Sequence, residues 1–180
     1  MYRSCFLGCG GRARGHAAAY KHVTGGSMVA ICDMDEERLA SFGDDFGVDT
    51  RYTDMVEMIE KEKPDLLHIV TPPTIRYSLM KVAADLGVPA VIVEKPIALQ
   101  SEDYIQIRSL LDMDTKFIVN TQLHFHPNNL TLGDAVRGGE IGDIRFVDAS
   151  ARSTPIDQGP HVQIKRWSQA IYQKEDKWIG

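Results

Sequence analysis

Three short runs of this chain carry residue types whose order and spacing suit the chemistry of a phosphate-bearing ligand. The first is Gly8-Cys9-Gly10-Gly11-Arg12-Ala13, which fits the pattern G-x-G-x-x-G/A between an apolar run and a helical pattern. Each small residue has a physical task. Gly8 permits a tight turn, Gly10 lets backbone approach a pyrophosphate, and Ala13 lets helix and strand pack closely. The helix start behind them, with Gly11 and Arg12, offers unpaired N–H groups and the positive end of a dipole to the phosphates. Glycine-rich turns are common, so the reading depends on context.

The second feature supplies that context. Asp33 ends the next apolar run, about 20 residues beyond the loop, where a carboxylate accepts hydrogen bonds from adenosine ribose hydroxyls. It would repel a 2′-phosphate, and no arginine follows at once to receive one. NAD is therefore expected, with NADP disfavoured. The competing reading makes Asp33 a turn residue before Asp35.

The third feature is Glu94-Lys95-Pro96. Proline restricts the preceding residue to extended geometry and stops the strand from running straight into a helix. Lys95 is thus expected to project from the carboxyl end of the sheet, where ligands of open α/β sheets bind. Thr71, ahead of Pro72-Pro73, ends a strand in the same way, so four motifs converge on one crevice. Beside a cationic nicotinamide the pKa of Lys95 should fall, which suits proton exchange with a substrate hydroxyl. Its plainer reading is a solvated surface lysine. S-adenosylmethionine enzymes share a glycine loop and an acidic second-strand end but have no need of this lysine, which makes a methyltransferase the weaker alternative.

The elements that must position these residues alternate regularly. Strands are expected at Tyr2 to Leu7, Met28 to Asp33, near Tyr52, Leu66 to Val70, Ala90 to Val93 and Phe117 to Val119. Helical patterns lie between them at Arg14 to Val23, at Glu36 to Phe46, behind a capping box at Asp54 to Glu57, from Ile75 to Leu86, and after Ser101 as cap. Such alternation with short connections implies a doubly wound parallel Rossmann sheet. Beyond a boundary near Thr121 the pattern loosens. It gives a helix from Pro127 to about Arg137, a strand at Asp143 to Ala149, a loop with Pro155 and Pro160, and a last helix around Trp167.

Together, Gly-Cys-Gly-Gly-Arg, Thr71-Pro72-Pro73 and Val93-Glu94-Lys95-Pro96 resemble the glucose–fructose oxidoreductase / inositol dehydrogenase family (Gfo/Idh/MocA) over nearly the whole chain. The resemblance implies an NAD-binding domain over residues 1–120 and a second α/β domain from 121 built on a mostly antiparallel sheet. It further implies oxidation or reduction of a hydroxyl or ketone on a sugar, cyclitol or nucleotide sugar. Asp157-Gln158-Gly159-Pro160-His161 resembles the family's D-x-G-x-H segment, which would join His161 and Asp157 to Lys95 in proton transfer. Pro160 suits the first position of a helix, placing His161 in a first turn whose dipole favours neutral imidazole, with Asp157 near enough to orient it.

This chain departs from the pattern in three places. Arg76 stands where a histidine is usual after the T-P-x turn, His124 where an arginine is usual, and Ile164 where an aspartate is common. The chain also stops where family members continue, leaving the second domain partial and short of most of its sheet. A lone strand exposes unpaired backbone, so either the chain is a fragment of a longer dehydrogenase or a partner, such as another copy, supplies the rest. A non-catalytic dinucleotide-binding module is the alternative to an oxidoreductase.

Lys and Arg number 20 against 25 Asp and Glu, for a net charge of −5, so no basic surface points to nucleic acid or anionic lipid. The start reaches glycine too soon for a signal-peptide core and no apolar run approaches membrane-spanning length, so the cytoplasm is expected. Cys5, Cys9 and Cys32 form no CxxC pair and read as buried hydrophobes rather than a metal site with His124 and His126; no metal is assigned.

Overall fold

The computed structural model describes residues 1–146, 171–173 and 177–179. Six parallel strands form one sheet in the order β3-β2-β1-β4-β5-β6. They are β1 Tyr2–Leu7, β2 Gly26–Cys32, β3 Arg51–Tyr52, β4 Leu66–Ile69, β5 Ala90–Glu94 and β6 Lys116–Asn120. Between them run α1 Gly11–Ala19, α2 Glu36–Phe46, α3 Met55–Glu62, α4 Arg76–Asp85 and α5 Ser101–Ser109.

Period-two alternation along the strands sorts the core into two layers. Cys5, Leu7, Ala30, Cys32, Leu67, Ile69, Val91 and Val93 pack with Met58 of α3, Met80 of α4 and Ile107 of α5. Phe6 and Ile31 face the other way, onto Ala13 and Ala17 of α1 and Leu39 and Phe42 of α2. Each fully buried large side chain contributes about 1.5–3 kcal/mol of transfer free energy. Both faces being covered explains why β4 and β5 read as near-continuous apolar runs. His68 of β4 is the exception: it lies on the α1 face and is buried.

The helix ends follow local chemistry. Asp35 accepts from the N–H of Arg38 at the start of α2, and Gly47 closes that helix at φ 68°. Asp54 accepts from the N–H of Glu57, 2.8 Å away, but the Glu57 carboxylate pairs with Lys61 instead of returning, so only half of the expected capping box forms. Several strand limits shift by one or two residues, as at β2, which runs from Gly26 to Cys32 rather than Met28 to Asp33, and two helix starts differ from expectation. Helix α1 begins at Gly11 rather than Arg14, because glycines that read as loop occupy its first turn. Ser101 is the first helical residue rather than the cap, and its hydroxyl donates to Glu102.

The chain divides into two compact units, Met1–Gln122 and Leu123–Gly180. In the second, α6 spans Pro127–Arg137, with Pro127 at its start and the His126 ring accepting from the N–H of Asn128. Backbone of β7 Ile171–Gln173 and β8 Lys177–Ile179 pairs antiparallel, a hairpin the sequence did not suggest. Residues 143–146 form no strand, contrary to the strand expected from Asp143, and 147–149 lie outside the described residues. So do Pro155, Pro160, Ile164 and Trp167.

Candidate functional site

The turn from β1 into α1 is closed by contact with the end of β4. Gly8 has φ +95°, and a Cβ there would lie 2.6 Å from the carbonyl oxygen of Val70, so both conformation and space demand glycine. Gly10 and Gly11 differ: a Cβ on either would meet nothing within 4 Å. Nothing in the chain's own packing requires them to be small, and the space they leave borders the helix start. Gly10 occupies the N-cap without any side-chain cap, so the first N–H groups of α1 have no such partner. Ala13 is fully buried in the layer that joins α1 to Phe6 of β1.

Asp33, just past the end of β2, ties the loop to its neighbours. Its carboxylate accepts from the N–H of Cys9 at 2.8 Å, the N–H of Asp35 at 2.9 Å and the Arg38 guanidinium at 3.0 Å. Burial works to raise this carboxyl, but the Arg38 hydrogen bond and the two N–H donors outweigh it and hold the group below the usual range. Arg38 is one residue that sequence reading missed. It stands five positions after Asp33, and the first turn of α2 brings it back against both Asp33 and Asp35, each at 3.0 Å.

Gly8, Gly10, Asp33, Arg38, Thr71 and Pro72 share one crevice of about 370 Å³ along the carboxyl edge of β1, β2 and β4. Thr71 carries a buried hydroxyl with no partner among the described residues. An orphaned hydroxyl in a crevice otherwise lined by Leu7, Met34, Val70, Ile75 and Leu79 fits a ligand that carries both polar groups and flat apolar rings, as a dinucleotide does.

Arg76 occupies the histidine position noted above, and it is 1% exposed. Its guanidinium donates to the carbonyl of Thr71 at 2.7 Å and to that of Pro96, bridging the turn after β4 to the turn after β5. The Lys95–Pro96 peptide is cis. Lys95 itself is exposed and makes no hydrogen bond or ion pair among the described residues.

Glu94, the last residue of β5, sits in a polar cluster with α1 and the end of β6. Its carboxylate lies 2.7 Å from Nε2 of His16 and 3.6 Å from Nε of Arg12, and it accepts from the Asn120 amide at the end of β6. Burial raises this carboxyl, and the Asn120, His16 and Arg12 contacts bring it below its ordinary value. His16 and Asn120 were also missed in the sequence; a polar residue closing β6 beside a strand-ending glutamate is the signal that was there. Burial pushes the thiols of Cys5, Cys9 and Cys32 up to about 12, so they act as small hydrophobes. Asp157 and His161 lie outside the described residues.

Six parallel strands in this order, a glycine turn at the centre and an acid ending the neighbouring strand define a dinucleotide-binding α/β protein. The family model of the oxidoreductase family with an NAD-binding Rossmann fold, GFO_IDH_MocA, matches residues 2–120. The chain therefore belongs to that family, and its dinucleotide is NAD. A D-apiose dehydrogenase of Paraburkholderia graminis is 32% identical over 153 residues, 84% of this chain and 40% of the relative. An inositol 2-dehydrogenase of Rhizobium meliloti is 27% identical over 84% of this chain and 46% of its own length. An oxidoreductase of Agrobacterium radiobacter, solved with NAD+, L-tartaric acid and magnesium, superposes with a TM-score of 0.72 at 29% identity, covering 79% of this chain and 42% of the other. The chain thus spans about two-fifths of the length of these relatives. No helix among the described residues is long and apolar enough to cross a membrane.

Proposed function

We propose that the crevice serves hydride transfer between nicotinamide and a hydroxyl- or keto-bearing carbon of a sugar, cyclitol or nucleotide sugar. The observation that carries this reading is convergence. Gly8, Asp33, Thr71 and Lys95 follow β1, β2, β4 and β5, at the carboxyl edge of one parallel sheet. The names of the apiose and inositol dehydrogenases among the relatives support the substrate class.

Gly8, Gly10, Gly11, Arg12 and Ala13 would hold the pyrophosphate at the start of α1, and Asp33 the adenosine ribose. Arg38 is already paired with two carboxylates, so it is not a free receptor for a 2′-phosphate, which supports NAD over NADP. Thr71, Pro72 and Glu94 would border the nicotinamide half. Bound nicotinamide supplies the hydride acceptor or donor at its C4. In the oxidising direction the neutral Lys95 amine would accept the substrate hydroxyl proton; in the reducing direction its ammonium would give a proton to the substrate oxygen. Lys95 suits this because it is exposed and uncommitted among the described residues. By resemblance, Asp157 and His161 would assist it.

The test is Lys95→Ala, assayed for NAD-linked turnover on a sugar and cyclitol panel and for NADH affinity by calorimetry. Turnover should fall by at least about 100-fold with the general acid–base group gone, while NADH affinity stays near wild type. Full activity in the variant would overturn the role. NADH binding by the wild type without turnover on any substrate would instead favour a non-catalytic binding module.

A further inference from the structure

His68 is a polar residue where packing asks for an apolar one. Its register partners on the adjoining strands are Phe6 and Ile92, and Phe6 stacks on its ring with centroids 4.2 Å apart. Burying an imidazole is unfavourable unless its nitrogens find partners, and here both do. Nε2 lies 2.8 Å from the Tyr20 hydroxyl, and Nδ1 lies 3.3 Å from Nδ1 of His16. His16 in turn meets Glu94 through Nε2 at 2.7 Å. The four side chains come from α1 and the residue after it, from β4 and from β5, and they form one unbroken line.

The direction of that line follows from its end. Nε2 of His16 has two neighbours, the Glu94 carboxylate at 2.7 Å and the Asn120 amide nitrogen at 3.0 Å; the shorter contact is to a carboxylate, which only accepts, so Nε2 carries the proton and the amide donates to the same Glu94 oxygen. A neutral His16 then has an acceptor at Nδ1, which requires His68 to donate from Nδ1. Nε2 of His68 is left to accept from Tyr20.

We infer that Tyr20, His68 and His16 form a buried hydrogen-bond relay that fixes the Glu94 carboxylate beside the nicotinamide half of the crevice, making His16 and His68 positioning residues for cofactor binding. Glu94 bridges the first turn of α1, through Arg12, to the strand end that carries Lys95. Holding it in one place holds the phosphate loop and the catalytic turn in register. A valine at position 68 would leave Nδ1 of His16 without this partner. The inference rests on the crevice being the cofactor site.

Two measurements on the full chain test it. At pH 8, where an ordinary histidine is neutral, ring-nitrogen NMR should find the Nδ1–H tautomer for His68 and Nε2–H for His16. The reverse pair would overturn the relay. NADH titration should show His68→Phe, which keeps the stack on Phe6, binding about five- to tenfold more weakly, the size of one lost hydrogen bond. His68→Asn, whose amide reaches the Nδ1 position, should restore most of that loss. Equal affinity for wild type and His68→Phe, or no rescue by asparagine, would overturn the positioning role. A wild type that binds no NADH would refute the crevice reading and the positioning role with it, while the tautomers alone would still decide the relay.

Discussion

The buried His68 makes a quantitative claim about acid stability. Burial, reinforced by His16 nearby, lowers its pKa from 6.5 to about 3. In the unfolded chain the same imidazole takes up a proton near its ordinary value. Between those two values the unfolded state binds the extra proton, so stability is complete above about pH 6.5 and is lost as pH falls. Integrating that difference gives a loss of roughly 1.6 kcal/mol between pH 6.5 and 5 from this one group. The window is chosen because Asp33 and Glu94, both held below their ordinary values, stay largely ionised in it. The perturbation is His68→Phe, which removes the titrating group and keeps an aromatic ring against Phe6. The assay is urea unfolding of both proteins across the window, with their difference cancelling the histidines that do not touch His68. The wild-type advantage should shrink by about 1.6 kcal/mol from pH 6.5 to 5, or about 3–6 °C in relative Tm for a chain of this size. A difference that stays flat would refute the buried, neutral state of His68.

Two further predictions concern the turns around the crevice. Gly8→Ala combines a positive φ with a Cβ pressed against the Val70 carbonyl, and should destabilise by at least about 2 kcal/mol in denaturant melts while abolishing NADH binding. Arg76→Met removes the bridge between the Thr71 and Pro96 carbonyls, and should cost about 2–3 kcal/mol of stability through the acceptors left without partners. Unchanged melting of the Arg76 variant would show that the bridge is not needed to hold the two turns.

Residues that end strands were legible because strand ends are marked locally. Gly8, Asp33, Thr71 and Lys95 each stand where an apolar run meets a turn former, and the structure places each after its strand. The order of strands followed from alternation with helices, and α2 and α6 have the expected limits. What could not be read is whatever needs two distant segments at once. His68 interrupts an otherwise apolar run, and its partners are 48 and 52 positions away. Glu94 and His16 are separated by 78. Pairing them requires knowing that β4 and β5 lie side by side and that even-numbered residues of β4 face α1. Arg38 was hidden by a shorter effect: five residues are a turn and a half of chain, and only the capped start of α2 folds it onto Asp33. Arg76 was noticed as a departure from the family's histidine, but its bridging role depends on two carbonyls that sequence does not display.

The central claim is that NAD lies on the glycine turn with its ribose read by Asp33, and calorimetric titration with NADH and NADPH tests it most directly, run on the wild type and on Asp33→Ala. The wild type should bind NADH at least about tenfold more tightly than NADPH, the equivalent of 1.4 kcal/mol, and Asp33→Ala should erase most of that preference. Equal binding of the two by the wild type, or no binding of either, would contradict the account.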